Sequence, residues 1–180
     1  MKKYLCCLSV SAAVIFTIYY LRFAGLFTNK SALSTVGLEH PVLFFVWGIS
    51  TYLALAVNIV FGYMKTKYRF YIVLLIISFI GIMLTVFCDF DYDKKAQYIL
   101  HCAGSLAFSS IMGICVFLLF LLGKKYIFAL ICGCVLIADL ICLFIFKETA
   151  LIEIVPIFTG YILLLINNLK KERKAIEAHR

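Results

Sequence analysis

Six stretches of the chain run almost without interruption through apolar side chains, each for about twenty residues. They are 4–26, 42–64, 69–88, 97–122, 126–146 and 149–168, and each is near the roughly 20 residues that carry an α-helix across a bilayer. The hydrophobic share is 65% and the mean hydropathy +1.08. A soluble domain of this size cannot hide that much apolar surface, because globular chains are roughly half apolar. In lipid, backbone N–H and C=O groups must be satisfied within a helix or a closed barrel. The apolar runs are continuous rather than alternating, which excludes a barrel. The expected fold is all-α, a six-transmembrane-helix bundle forming a single domain over 1–180, with no soluble catalytic domain.

Charge gives the expected orientation. Lys2, Lys3, Lys65, Lys67, Arg69, Lys124, Lys125 and the basic residues of 170–180 fall on one side of the spans. Arg22, Lys30, Lys94, Lys95 and Lys147 fall on the other. The tally, 12 against 5 of the 17 basic residues, predicts both termini in the cytoplasm by the positive-inside rule. The loops 27–41 and 89–96 and the turn 147–148 then face outward. Tyr4, Tyr63, Tyr68, Tyr98 and Tyr126 mark span ends, as an interfacial aromatic belt does. The net charge of +8 is spread over short loops and chain ends. That leaves no basic surface for nucleic acid and suits anionic head groups. The start Met1-Lys2-Lys3 imitates a signal peptide, but the apolar run that follows exceeds an h-region and lacks a clear cleavage site. It is read as a retained helix.

Most of the eight cysteines lie in apolar runs, where cysteine acts as a small hydrophobe. Cys132 and Cys134 have a C-x-C spacing that alone is a weak metal signal. Cys88 and Cys102 flank one outer loop and would be able to bridge in an oxidising compartment. Cys6 and Cys7 lie where acylation is feasible, with plain packing as the alternative.

Small and polar residues form helical stripes that let helices approach closely. They are Ser50, Ala54, Asn58 and Gly62 in the second span, and His101, Ser105, Ser109 and Gly113 in the fourth. Glu153, Gly160 and Asn167 follow in the sixth. Ionisable groups inside spans face a cavity or a partner, and here they are His101, Asp139 and Glu153. His101 and Glu153 are each about four residues into their spans, roughly 6 Å below the outer surface at a rise of about 1.5 Å per residue. Asp89 and His40 belong to the neighbouring outer loops.

Several uses of this outer cluster stay open. His101 and Glu153 form a hydrogen-bonded pair fixing two helices, or they centre a polar pocket for a lipid head group. A metal-dependent lipid hydrolase would take His101, His40 and Asp89 as ligands, although no H-E-x-x-H occurs. Ser105 shares a face with His101 and is the candidate nucleophile. Haem ligation inside the bundle lacks a second histidine at depth. A transporter lacks inverted repeats, and Pro156 is the only proline within a span.

Three segments carry a family resemblance. Leu33-Ser34-Thr35-Val36-Gly37-Leu38-Glu39-His40-Pro41 looks like an "I-S-D-x-G … P-E" segment after a first span. Phe90, then His101-Cys102-Ala103-Gly104-Ser105-Leu106-Ala107-Phe108, fits an "N-F-Q … H-x-x-G-A … A-F" segment. Glu153 and Tyr161 match a glutamate and a later tyrosine in a last span. Together they resemble the DRAM/Sfk family of six-span proteins, which includes autophagy modulators and proteins remodelling the lipid of GPI anchors. A related six-span family of bacteria shares the layout. Thr35 stands where the family has Asp, and Ile154 where Trp is usual. The resemblance implies a membrane bundle associated with lipid, and it selects His101 and Glu153.

The combined expectation is a multi-pass integral membrane protein of lipid-associated, non-enzymatic type with no cofactor. Its outer polar pocket would comprise His101, Glu153, Ser105, Asp89, His40 and Asp139. Its partners would be membrane lipids, another membrane protein or a second copy, and not nucleic acid. The alternatives are a metal-dependent lipid hydrolase or acyl-transfer enzyme using the same cluster, and a structural subunit.

Overall fold

A computed structural model describes residues 1–25, 32–64 and 66–170 of the chain. Of the basic residues weighed above, Lys30, Lys65, Lys171, Arg173, Lys174 and Arg180 lie outside the described residues.

Each apolar run is helical, because a helix satisfies its backbone polar groups internally. Helix α1 is Lys2–Tyr20 and continues into a 3-10 turn, Leu21–Phe23. After a short helix α2, Leu33–Glu39, come α3, Pro41–Tyr63, and α4, Tyr71–Phe87. Then follow α5, Lys95–Leu122, α6, Tyr126–Phe146, and α7, Ala150–Lys170. Among the described residues, 5 helical stretches are long and apolar enough to cross a membrane: Lys2–Phe23, α3, α5, α6 and Ala150–Leu169. Helix α4 is as apolar but has 17 residues, at the lower limit of roughly 17–25 for a span. The chain is an all-α polytopic membrane bundle.

The long helices alternate in direction. At one end, here the near end, Asn168 of α7 reaches Cys6 of α1 and Asn58 of α3. At the far end, α2 is packed among the helix termini. Helix α3 is central, and its Thr51, Ala54, Asn58 and Ile59 are fully buried. Helix α6 is peripheral, with only Ala129 and Cys132 buried.

The closest helix pair is α4 with α5, and two glycines make it. A Cβ on Gly104 would lie 2.7 Å from the Gly81 carbonyl oxygen and 2.9 Å from the Thr85 nitrogen. A Cβ on Gly81 would lie 2.8 Å from the Phe108 nitrogen. Backbone meets backbone here, as small residues permit in a membrane, where lipid tails compete equally for apolar faces. Neither glycine belongs to the small-residue stripes read from the sequence.

The expected outer loop 27–41 is only partly a loop. Its residues 33–39 form α2, with Leu33, Ser34, Val36 and Gly37 buried. So short a helix is marginal on its own and persists through its tertiary contacts, which no local pattern announces. The cysteines are all free, so Cys88 and Cys102 are not bridged. Cys132 is buried and Cys134 exposed, so the C-x-C pair does not converge on one site.

Gly104→Ala is expected to lower the thermal unfolding midpoint in mild detergent, by overpacking worth about 1–3 kcal/mol. Gly133→Ala is the control, since its nearest neighbouring atom would be 3.5 Å away. Indistinguishable midpoints for the two variants would refute the close contact.

Candidate functional site

The polar residues of the far end converge on the first turn of α2. A helix start leaves its first N–H groups without intrahelical partners, and no side chain of the preceding residue caps this one. Glu153, on the first turn of α7, takes that place: its Oε2 accepts the Leu33 N–H at 3.0 Å. The Tyr20 hydroxyl of α1 donates to the Leu33 carbonyl at 2.9 Å. One residue of α2 is thus tied to both α1 and α7.

Ser34, the next residue, faces His101 of α5 and also lies against the Glu153 carboxyl. His101 is 1% exposed. Its Nδ1 is 2.9 Å from the Cys88 carbonyl oxygen and its Nε2 is 2.9 Å from Ser34 Oγ. A carbonyl only accepts, so Nδ1 carries the proton, and in the neutral ring Nε2 accepts the Ser34 hydroxyl. The ring is clamped by aromatics. Phe44 stacks on it at 5.9 Å between centroids and 17°, and Phe90 tilts against it at 5.0 Å. Phe44 continues the stack to Trp47, and Trp47 to Tyr20.

His101 and Glu153 therefore do not bond to each other. Both reach Ser34, which stands between them. Ser34 occurs in the segment Leu33–Pro41 that carried the family resemblance, yet it was not singled out as a site residue. The only signal for it was that motif, since a serine in a loop is otherwise unremarked.

No family model, no curated protein and no solved structure matches this chain. The reading of the site rests on its geometry.

The other residues of the expected cluster do not share the Ser34 bridge. Ser105 lies one turn below His101 and hydrogen-bonds nothing among the described residues. Asp89 pairs with Lys94 at 2.6 Å, and this bond raises the lysine pKa. His40 ends α2 and packs against Phe23 at 4.5 Å. Among the described residues, no group of three His, Cys, Asp or Glu side chains is placed to hold a metal. His101, His40 and Asp89 form no such set. Asp89 is near enough to His101 to interact through charge, but both ring nitrogens of His101 are engaged by Cys88 and Ser34.

Glu148, in the turn between α6 and α7, is half-buried, and burial raises its carboxyl pKa. Its Oε1 lies 3.9 Å from the Cys102 sulfur, which donates to it.

Below Glu153 an apolar groove runs between α5, α6 and α7 and is closed behind by Leu55 of α3. Phe108, Met112, Leu136 and Pro156 line it, and Glu153 stands at its far end. Its empty volume is ≈ 530 Å³ counting the open side. Cys132, Val135 and Leu136 of α6 also face it. Asp139 continues the same helical stripe one turn outward and makes no hydrogen bond or ion pair among the described residues. Pro156 has no N–H, so the Ile152 carbonyl lacks its helical partner beside the groove.

Glu153→Leu is expected to destabilise the protein by about 1–3 kcal/mol, because it strips the buried Leu33 N–H of its acceptor. Glu153→Gln retains an acceptor and is expected to keep most of that stability. Limited proteolysis of 24–40, with melting in detergent, separates the two. Equal sensitivity of both variants would mean that Glu153 does not hold α2.

Proposed function

We propose that the protein is a lipid-associated membrane protein that holds a lipid chain in the α5–α6–α7 groove, with the head group at the far end. The observation carrying this reading is the groove itself, apolar along its length and ending at a carboxyl. A carboxyl inside a span calls for a hydrogen-bond donor or a cation. Glu153 has donors in Leu33 and Ser34, while Asp139, one turn outward of Leu136 on the same stripe, has none among the described residues. A lipid with hydroxyl or ammonium donors in its head supplies one. In this reading the bundle has six spans, α4 being the shortest, and the near end with both termini is cytoplasmic. The layout is that of the DRAM/Sfk type, and the protein acts without a cofactor.

The test is native mass spectrometry of the protein purified in mild detergent, beside Val135→Trp. The indole fills the groove from the loosely packed helix α6. Bound lipid on the parent and its loss from the folded variant are expected. Equal lipid retention, or no lipid on either, would sink the reading.

One observation favours a second reading, acyl transfer. Ser34, His101 and the Cys88 carbonyl form a line of nucleophile, base and orienting acceptor. Ser34 Oγ would attack a lipid ester carbonyl, with His101 Nε2 taking the hydroxyl proton and passing it to the departing alcohol. Water would then release the acyl group from Ser34. Labelling by a fluorophosphonate probe, abolished in Ser34→Ala and in His101→Ala, is the expected outcome for an enzyme. An unlabelled parent protein leaves Ser34 as a structural bridge.

A further inference from the structure

A second concavity lies at the opposite end of the molecule from Ser34 and His101. Four parts of the chain meet there: the start of α1, the end of α3, the α5–α6 turn and the end of α7. Its empty volume is ≈ 730 Å³ counting the solvent at its open side. Lys2, Lys3 and Lys125 line its rim, together with the amides of Asn167 and Asn168. Cys6, Gly62 and Leu119 form an apolar floor. No acidic side chain is among the described residues lining it.

The rim is built rather than incidental. Asn58 is fully buried, and its carbonyl and Oδ1 accept from Asn168 Nδ2 at 3.0 and 3.1 Å. Asn58 itself donates to Ala54 O at 2.9 Å. Asn167 Nδ2 donates to Asn168 Oδ1 at 3.1 Å, and Asn167 Oδ1 accepts from Lys125 Nζ. A chain of amides therefore runs from the bundle core to the ammonium of Lys125 and fixes its position. Lys2 and Lys3, consecutive residues at the start of α1, line the same concavity.

We propose that this cavity binds a phosphate group, that of an anionic phospholipid in the near leaflet. Converging ammonium groups recognise a phosphate oxyanion as point charges. Basic pockets between membrane helices take such head groups, and the apolar floor suits the glycerol and upper acyl region. The site is independent of the groove and of the far-end cluster.

The test uses the full chain in nanodiscs of phosphatidylcholine, with or without phosphatidylglycerol, and in detergent with inorganic phosphate alone. Thermal midpoint and lipid adducts in native mass spectra are read. Stabilisation by phosphatidylglycerol and not by phosphatidylcholine is expected. Affinity should fall about fivefold for each lysine removed in Lys2→Gln/Lys3→Gln. Those two residues lie at the exposed start of α1, so the variant is expected to fold even where Lys125→Gln disturbs the amide chain. Lys94→Gln/Lys95→Gln, at the far end, is the control for general attraction to an anionic surface. Stabilisation by inorganic phosphate to the same degree would support the phosphate site and assign it to a soluble anion instead of a lipid. Equal loss in the control variant, or no preference for phosphatidylglycerol, would overturn the proposal.

Discussion

The bond between Glu153 and the Leu33 N–H lets the far end of the molecule close. A seven-residue helix lying at the ends of membrane spans brings unpaired N–H groups with it. In a medium with little water, such groups are costly unless something in the protein accepts them. Glu153 supplies the acceptor from the other end of the sequence. Once Leu33 is held, Ser34 is brought within reach of His101, and the His101 ring in turn secures the Cys88 carbonyl at the end of α4. The aromatic stack of Phe44, Trp47 and Tyr20 fills the space around these bonds. Removing one member would leave the next unpartnered, which is how a buried polar network couples elements.

The same economy shapes the near end with different residues. There the carbonyl and amide of Asn58 meet Asn168, and the network ends at a lysine instead of a carboxyl. Between the two polar ends the helices are held mainly by packing, since lipid offers apolar faces an equal alternative, with the Tyr52 and Tyr63 hydroxyls of α3 donating to the Leu75 and Cys115 carbonyls. The contact of Gly81 with Gly104 answers that need by letting backbone approach backbone. Polar networks at both ends and glycine contact along the middle are complementary solutions to one constraint.

The membrane class was legible because it depends on a sum over twenty residues, which no single substitution disturbs. His101 and Glu153 were legible because an ionisable group inside an apolar run is conspicuous against it. Ser34 and α2 were not. A segment of seven residues containing Ser, Thr and Gly has no periodicity long enough to read, and its helix exists through partners 67 and 120 positions away. Gly81 and Gly104 were missed for a related reason: stripes within one helix say which face is small, not which other helix meets it. His40 and Asp89 take local partners, a ring contact with Phe23 and an ion pair with Lys94, that a shared side of the membrane does not forbid.

Helix α6 shows where the packing stops. It is highly apolar, yet only two of its residues are buried, so it is held chiefly by α5 and α7 along one stripe. Pro156 removes a hydrogen bond from α7 at the same level, and a proline bends or loosens a helix where it does so. A loosely seated helix beside a weakened one leaves a gap, and here the gap is apolar. Asp139 lies on the stripe of α6 that faces it and makes no side-chain hydrogen bond or ion pair among the described residues, where a carboxyl inside a span is costly. The gap and the carboxyl therefore lie at one level of the bundle, where α6 and α7 are least tightly seated.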